Sequence, residues 1–114
     1  MKTTKENRLE NKPKNIIESY LDKCLDDVSE VTGVRSWEIM AKSRGFEYVC
    51  DARFLVYLTM RAHDLEPSYQ QIGSLMNRHH GSIMNGIKAV NNKASYDKKM
   101  KLKLKALRER GHRI

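Results

Sequence analysis

Apolar residues recur along most of this chain at spacings of three and four, the interval that lines them up on one face of an α-helix. From Asn15 onward, Ile17, Leu21, Cys24, Leu25, Val28 and Val31 form the first such stripe, and Gly33 follows where the helix should stop. Ser36 is positioned to cap a short second helix, "WEIMAK", with Trp37, Ile39 and Met40 turned inward, before the loop "SRGFEY". Asp51 is expected to cap a third, "ARFLVYLTMRAHDL", whose Phe54, Leu55, Leu58 and Ala62 face the core. Pro67 closes it, because the residue before a proline is disfavoured in the helical region. Ser68 and Gln71 then make an S-x-x-Q capping box that launches "YQQIGSLM", with Ile72, Leu75 and Met76 inward.

A polar break at Asn77 to His79 separates that fourth helix from a fifth, in which Ile83, Ile87, Val90 and Ala94 repeat at four, three and four. At about 100 degrees per residue these share a narrow sector, and Gly81, Asn85, Lys88, Ala89 and Asn92 turn outward. A sixth helix is expected from Tyr96, with Tyr96, Met100, Leu104 and Leu107 on one face and lysines flanking it. "MKLKLK" also alternates with period two, but the helical stripe is longer and no turn signal interrupts it. The expected fold class is all-α, with about six helices. The expected organisation is a polar arm over 1–14, a helical domain over 15–95 and a basic C-terminal helix over 96–114.

Charge sharpens this picture more than composition does. The chain has 114 residues, 39% hydrophobic, and a net charge of +8. Through residue 66, 11 Lys/Arg face 12 Asp/Glu; from residue 67 on, 11 Lys/Arg face only Asp97 and Glu109. A basic excess confined to one end points to a polyanion, most simply nucleic acid, with an anionic membrane surface around Met100, Leu102 and Leu104 as a weaker reading.

Other classes find little support. No apolar run is long enough for a membrane span, and the charged start "MKTTKENRLENKPK" does not read as a signal peptide, so a cytoplasmic protein is expected. Cys24 and Cys50 form no CxxC and read as reduced core residues. Gly81 to Gly86 spans a G-x-x-x-x-G, but Ile87-Lys88 follows in place of Lys-Ser/Thr, so no P-loop, bound nucleotide or other cofactor is expected. His79 and His80 are adjacent and lack a partner three or four residues away, which argues against a metal site or catalysis. The chain is expected not to be an enzyme, and to be a monomer.

Two short helices joined by a tight turn, the second with an exposed polar face, are the ingredients of a helix-turn-helix built from helices four and five. In that use the fifth helix enters the major groove. Gly81 permits close approach, and Asn85 has the amide geometry that pairs with adenine N6 and N7. Lys88 and Lys93, further along, suit phosphates.

The stretch "SYQQIGSLMNRHHGSIMNGIKAV" resembles the C-terminal DNA-binding domain of the bacterial replication initiator DnaA at Ser68, Ile72, Gly73, Arg78, His80, Ser82 and Ile83. "VSEVTGVRSWEIMAKSR" and "DARFLVYL" are similar to the helices upstream, and the resemblance covers roughly Val28 to Lys93. It implies sequence-specific binding of double-stranded DNA by a stand-alone domain without the initiator's ATPase, in a bacterial or phage-infected cell. It also implies that Arg53 enters the minor groove. His79 and Gly81 stand where the family has Asp and Thr, so its origin motif is not carried over. The expected base readers are His79, His80, Gly81, Ser82, Asn85 and Arg53; the expected phosphate contacts are Lys42, Arg44, Gln70, Arg78, Lys88 and Lys93. The alternative is an adaptor that binds an initiator or other replication protein through the acidic first helix, with Glu18, Asp22, Asp26, Asp27 and Glu30.

Overall fold

A computed structural model describes residues 15–114, which form six α-helices and no strand; the arm expected over 1–14 lies outside the described residues. The helices are α1 (Ile16–Thr32), α2 (Ser36–Met40), α3 (Glu47–Arg61), α4 (Tyr69–Met76), α5 (His80–Ala94) and α6 (Lys98–Glu109). Among these residues no helix is long and apolar enough to cross a membrane.

The first helix begins and ends on local signals. The Asn15 side chain accepts from the Glu18 backbone N–H while the Glu18 carboxylate accepts from that of Asn15, and Gly33 closes the C-terminus in the left-handed conformation at φ 78°. Its stripe turns inward: Leu21, Cys24 and Val28 are buried, and Ile17, Leu25 and Val31 pack at the edge.

The third helix is the centre of the bundle, packed against α1, α2, α4 and α5. Ala52, Leu55, Val56, Tyr57, Thr59 and Met60 are all buried, so burial extends around most of its circumference, as a helix surrounded on several sides requires. It starts a turn earlier than expected. Phe46 caps it through its backbone, accepting from Val49 and Cys50, so Val49 and Cys50 enter the core. Asp51 is therefore not a cap but lies one turn inside the helix. Gly86 of α5 lies against the rings of Phe54 and Tyr57, where a Cβ would approach to 2.6 and 2.7 Å, so α3 and α5 meet over a residue without a side chain.

Three further expectations are corrected. Arg35, not Ser36, caps α2, its N–H held by Glu38, and Trp37 is 66% exposed instead of packed. Ile39, expected inward with it, does fill the core. Tyr96 is also outside: Asp97 caps α6 by accepting from Lys99 and Met100, and the buried face is Met100, Leu104 and Leu107. Those three residues join the same core as the other helices.

The last residues return to α1 through a polar network that spacing did not reveal. The buried His112 ring contacts Asp27 Oδ2 through Nε2 at 2.6 Å and the Tyr20 hydroxyl through Nδ1 at 2.8 Å. Lys23 and Arg110 also reach Asp27, and Arg110 binds Glu30. Burial works to raise the Asp27 carboxyl, but the hydrogen bonds from Lys23 and His112 outweigh it and hold the group below its ordinary range. A carboxyl depressed in the folded state stabilises the fold above its unfolded pKa and loses that contribution as pH falls through the folded one. Asp27→Asn is expected to cost about 2 kcal/mol at neutral pH and to flatten the loss of stability below about pH 4. Denaturant unfolding of both proteins across that range measures this; parallel curves would show that Asp27 contributes nothing specific.

Candidate nucleic-acid interface

The α4 and α5 helices are joined by Asn77, Arg78 and His79, and each of these residues has a distinct part in the turn. The capping box of α4 is present in full, with Ser68 accepting from Gln71 N–H and Gln71 from Ser68 N–H. Asn77 ends α4 in the left-handed conformation at φ 56°, and the N–H groups of Asn77 and Arg78 both donate to the Gly73 carbonyl. Gly73 is needed for this closeness. A Cβ there would lie 2.4 Å from the Arg78 carbonyl oxygen, so the chain reverses directly over the α4 backbone.

His79 is the cap of α5. Its Nδ1 accepts from the Gly81 N–H at 3.0 Å, which places the ring proton of the neutral form on Nε2 as an outward donor. A Cβ at Gly81 would approach that Nδ1 to 3.2 Å, so Gly81 accommodates the capping ring. The rings of His79 and His80 pack at 4.2 Å, both exposed. Beyond them Ser82, Asn85, Lys88, Ala89 and Asn92 face outward, while Ile83, Gly86 and Val90 are buried. A shallow polar groove runs along the turn between Gln70, Ser74, Asn77, Arg78, His79 and His80. The expected readers His79, His80, Gly81, Ser82 and Asn85 are thus on one end and face of α5, and Gln70 borders them from α4.

Arg53 is elsewhere. It is 4% exposed and points into the corner between α2 and α3, where Nε donates to Ile39 O at 2.7 Å, Nη1 to Arg44 O, and Nη2 approaches the carbonyls of Glu38, Ala41 and Ser43. Burial, then the nearby charge of Arg78, lowers its pKa, but a guanidinium in a protein stays charged and needs such acceptors. The expected minor-groove role is therefore withdrawn: the side chain holds the loop after α2 in place. Cys50 adds a contact from Sγ to Arg44 O.

Arg78 completes this clasp from the other side, donating to the carbonyls of Ala41 and Lys42. Its expected phosphate contact gives way to a tie between the α4–α5 turn and the α2–α3 loop. The side chains of Lys42 and Arg44 on that loop stay exposed, with no ion pair among the described residues.

Lys93 also leaves the expected set. Its ammonium sits 2.7 Å from both Glu47 and Asp51, which raise its pKa, while Glu47 is lowered in return. The same tie explains why Asp51 does not cap α3. Lys88, by contrast, is exposed and has no ion pair among the described residues.

Helical spacing could not locate these partners. The acceptors of Arg53 and Arg78 are backbone carbonyls, which any residue supplies, so only tertiary placement identifies them. The acidic face expected on α1 is likewise partly engaged: Glu18 closes the cap, Asp27 is buried under His112, and Glu30 binds Arg110. No protein-family model, curated protein or solved structure matches the chain.

Arg53→Lys keeps the charge but cannot serve acceptors spread over a planar fork. It is expected to cost about 2–4 kcal/mol, within the range for breaking a buried charged network. Amide exchange over residues 41–46 should accelerate more than exchange in α1. Uniform acceleration across the chain would mean that Arg53 is not a local anchor.

Proposed function

We propose that this protein reads double-stranded DNA through α5, with α4 and α5 acting as a helix-turn-helix. The observation that carries the reading is the outward face of α5. His80, Ser82, Asn85 and Lys88 are exposed there, on the side opposite the buried Ile83, Gly86 and Val90. Short polar side chains at the free N-terminus of a helix can approach base edges, and unpaired backbone N–H groups there favour phosphate. The resemblance of Ser68–Val90 to the initiator's DNA-binding domain supports the same use, in a replication-associated or regulatory factor.

In this reading His80, Ser82 and Asn85 contact bases, with His79 donating from Nε2 and Gly81 leaving room for close approach. Asn85 pairs with an adenine edge in the major groove. Lys88, Gln70, Lys42 and Arg44 hold phosphates, the last two on the loop that Arg53 and Arg78 fix beside the turn. Arg53 and Lys93 have no part in the contact; they keep the surface in shape.

Selection from random duplex DNA at about 150 mM salt, where weak non-specific binding is suppressed, tests the reading. The wild type should enrich one motif. His80→Ala should reduce discrimination between that motif and scrambled DNA by about 1–3 kcal/mol. Lys88→Ala should weaken both alike and flatten the salt slope by about one unit. Enrichment of no motif, or two variants with identical behaviour, would refute the division into reader and anchor.

A further inference from the structure

The loop fixed by Arg53 and Arg78 carries more than cations. Phe46 is 71% and Tyr48 56% exposed, and their rings lie parallel within 6° at a centroid separation of 5.9 Å. Single exposed apolar residues are ordinary, but two parallel rings, one at the end of the loop and one on the first turn of α3, form a single exposed aromatic patch. The preceding residues of the same loop supply the exposed cations Lys42 and Arg44.

The local charge balance favours an anion. Glu47, between the two aromatics, is the carboxylate that would repel a phosphate, and it shares the Lys93 ammonium with Asp51, which offsets part of that repulsion. The ion pair also ties this corner to the C-terminal half of α5. A parallel pair of exposed rings beside cations that have no ion pair among the described residues, with the nearest carboxylate partly offset by Lys93, has the elements of a surface on which unpaired bases stack while their phosphates are held.

We infer that Phe46 and Tyr48, with Lys42 and Arg44, form a binding site for the unpaired nucleobases of single-stranded nucleic acid, separate from the face of α5. No base pairing or groove is required. Stacking tolerates any sequence, because every base presents a π-face. The site shares Lys42 and Arg44 with the proposed duplex contact, but its rings take no part in duplex reading, so the two can fail separately.

Anisotropy of a labelled oligothymidylate of about 15 nucleotides, the length a small single-strand site accommodates, provides the test, with the matching oligouridylate beside it. The wild type should bind, and the tighter of the two strands identifies DNA or RNA as the source. F46A/Y48A should weaken binding roughly tenfold or more without lowering the melting temperature, since both rings are exposed. F46L/Y48L retains apolar bulk but removes the rings, and should lose binding as well. Asn85→Ala, which on the duplex reading loses discrimination, should leave strand binding unchanged.

Absence of strand binding by the wild type would overturn the inference, and so would unchanged binding by F46A/Y48A. Rescue by the leucine pair would overturn it too, because the surface would then be merely apolar. Sedimentation that showed self-association through these rings would assign the face to a second copy instead.

Discussion

The buried guanidinium of Arg53 sets the geometry on which the rest of the surface depends. A cation removed from water costs several kcal/mol unless its donors are matched, and this one is met by carbonyl oxygens of Glu38, Ile39, Ala41, Ser43 and Arg44. Those carbonyls belong to the end of α2 and the loop after it, a segment with no regular structure to hold its own backbone. The loop is thus ordered by a residue of α3, the central helix. Arg78 shares the Ala41 carbonyl, so two positive side chains converge on one acceptor and tie the α4–α5 turn into the same arrangement. Burial first, and repulsion from Arg78 second, lower the Arg53 pKa, but the surrounding carbonyl dipoles satisfy both groups.

The elements legible in the sequence were those encoded by neighbouring residues. The stripes of α1, α4 and α5, the glycine stop at Gly33 and the box from Ser68 to Gln71 all depend on contacts within a turn or two, and the structure has them where spacing placed them. The start of α3 was not legible because Phe46 caps it with its backbone alone, whereas Asp51 offered a side chain with the right chemistry and used it on Lys93. Tyr96 failed as a core residue for a similar reason: Asp97 starts α6 after it and leaves it outside the helix.

The candidate site divides along the same line. Residues at the start and outer face of α5 could be placed from periodicity, since one apolar side fixes the other. Long cationic side chains could not. Arg53, Arg78 and Lys93 each have a reach of several ångströms in any direction, and whether such a group serves solvent, a carbonyl or a carboxylate depends on what the fold brings within that reach. The network of Tyr20, Asp27 and His112 was hidden for the same reason, its members lying on opposite ends of the chain.

How the loop is held also decides how freely its surface can change. Arg53 and Arg78 grip backbone carbonyls, so the side chains of Lys42 and Arg44 take no part in the clasp, and those of Phe46 and Tyr48 face solvent. Substitution at these positions alters what the loop presents while its path is retained. The start of α5 is different. His79 caps the helix through Nδ1 while its ring stays exposed, and Gly81 is confined by that ring. A change at His79 therefore alters the helix start and the exposed surface together. The two exposed regions differ in this respect: the exposed side chains of the loop are separate from the contacts that hold its path, whereas an exposed ring at the start of α5 is itself one of the contacts that start the helix.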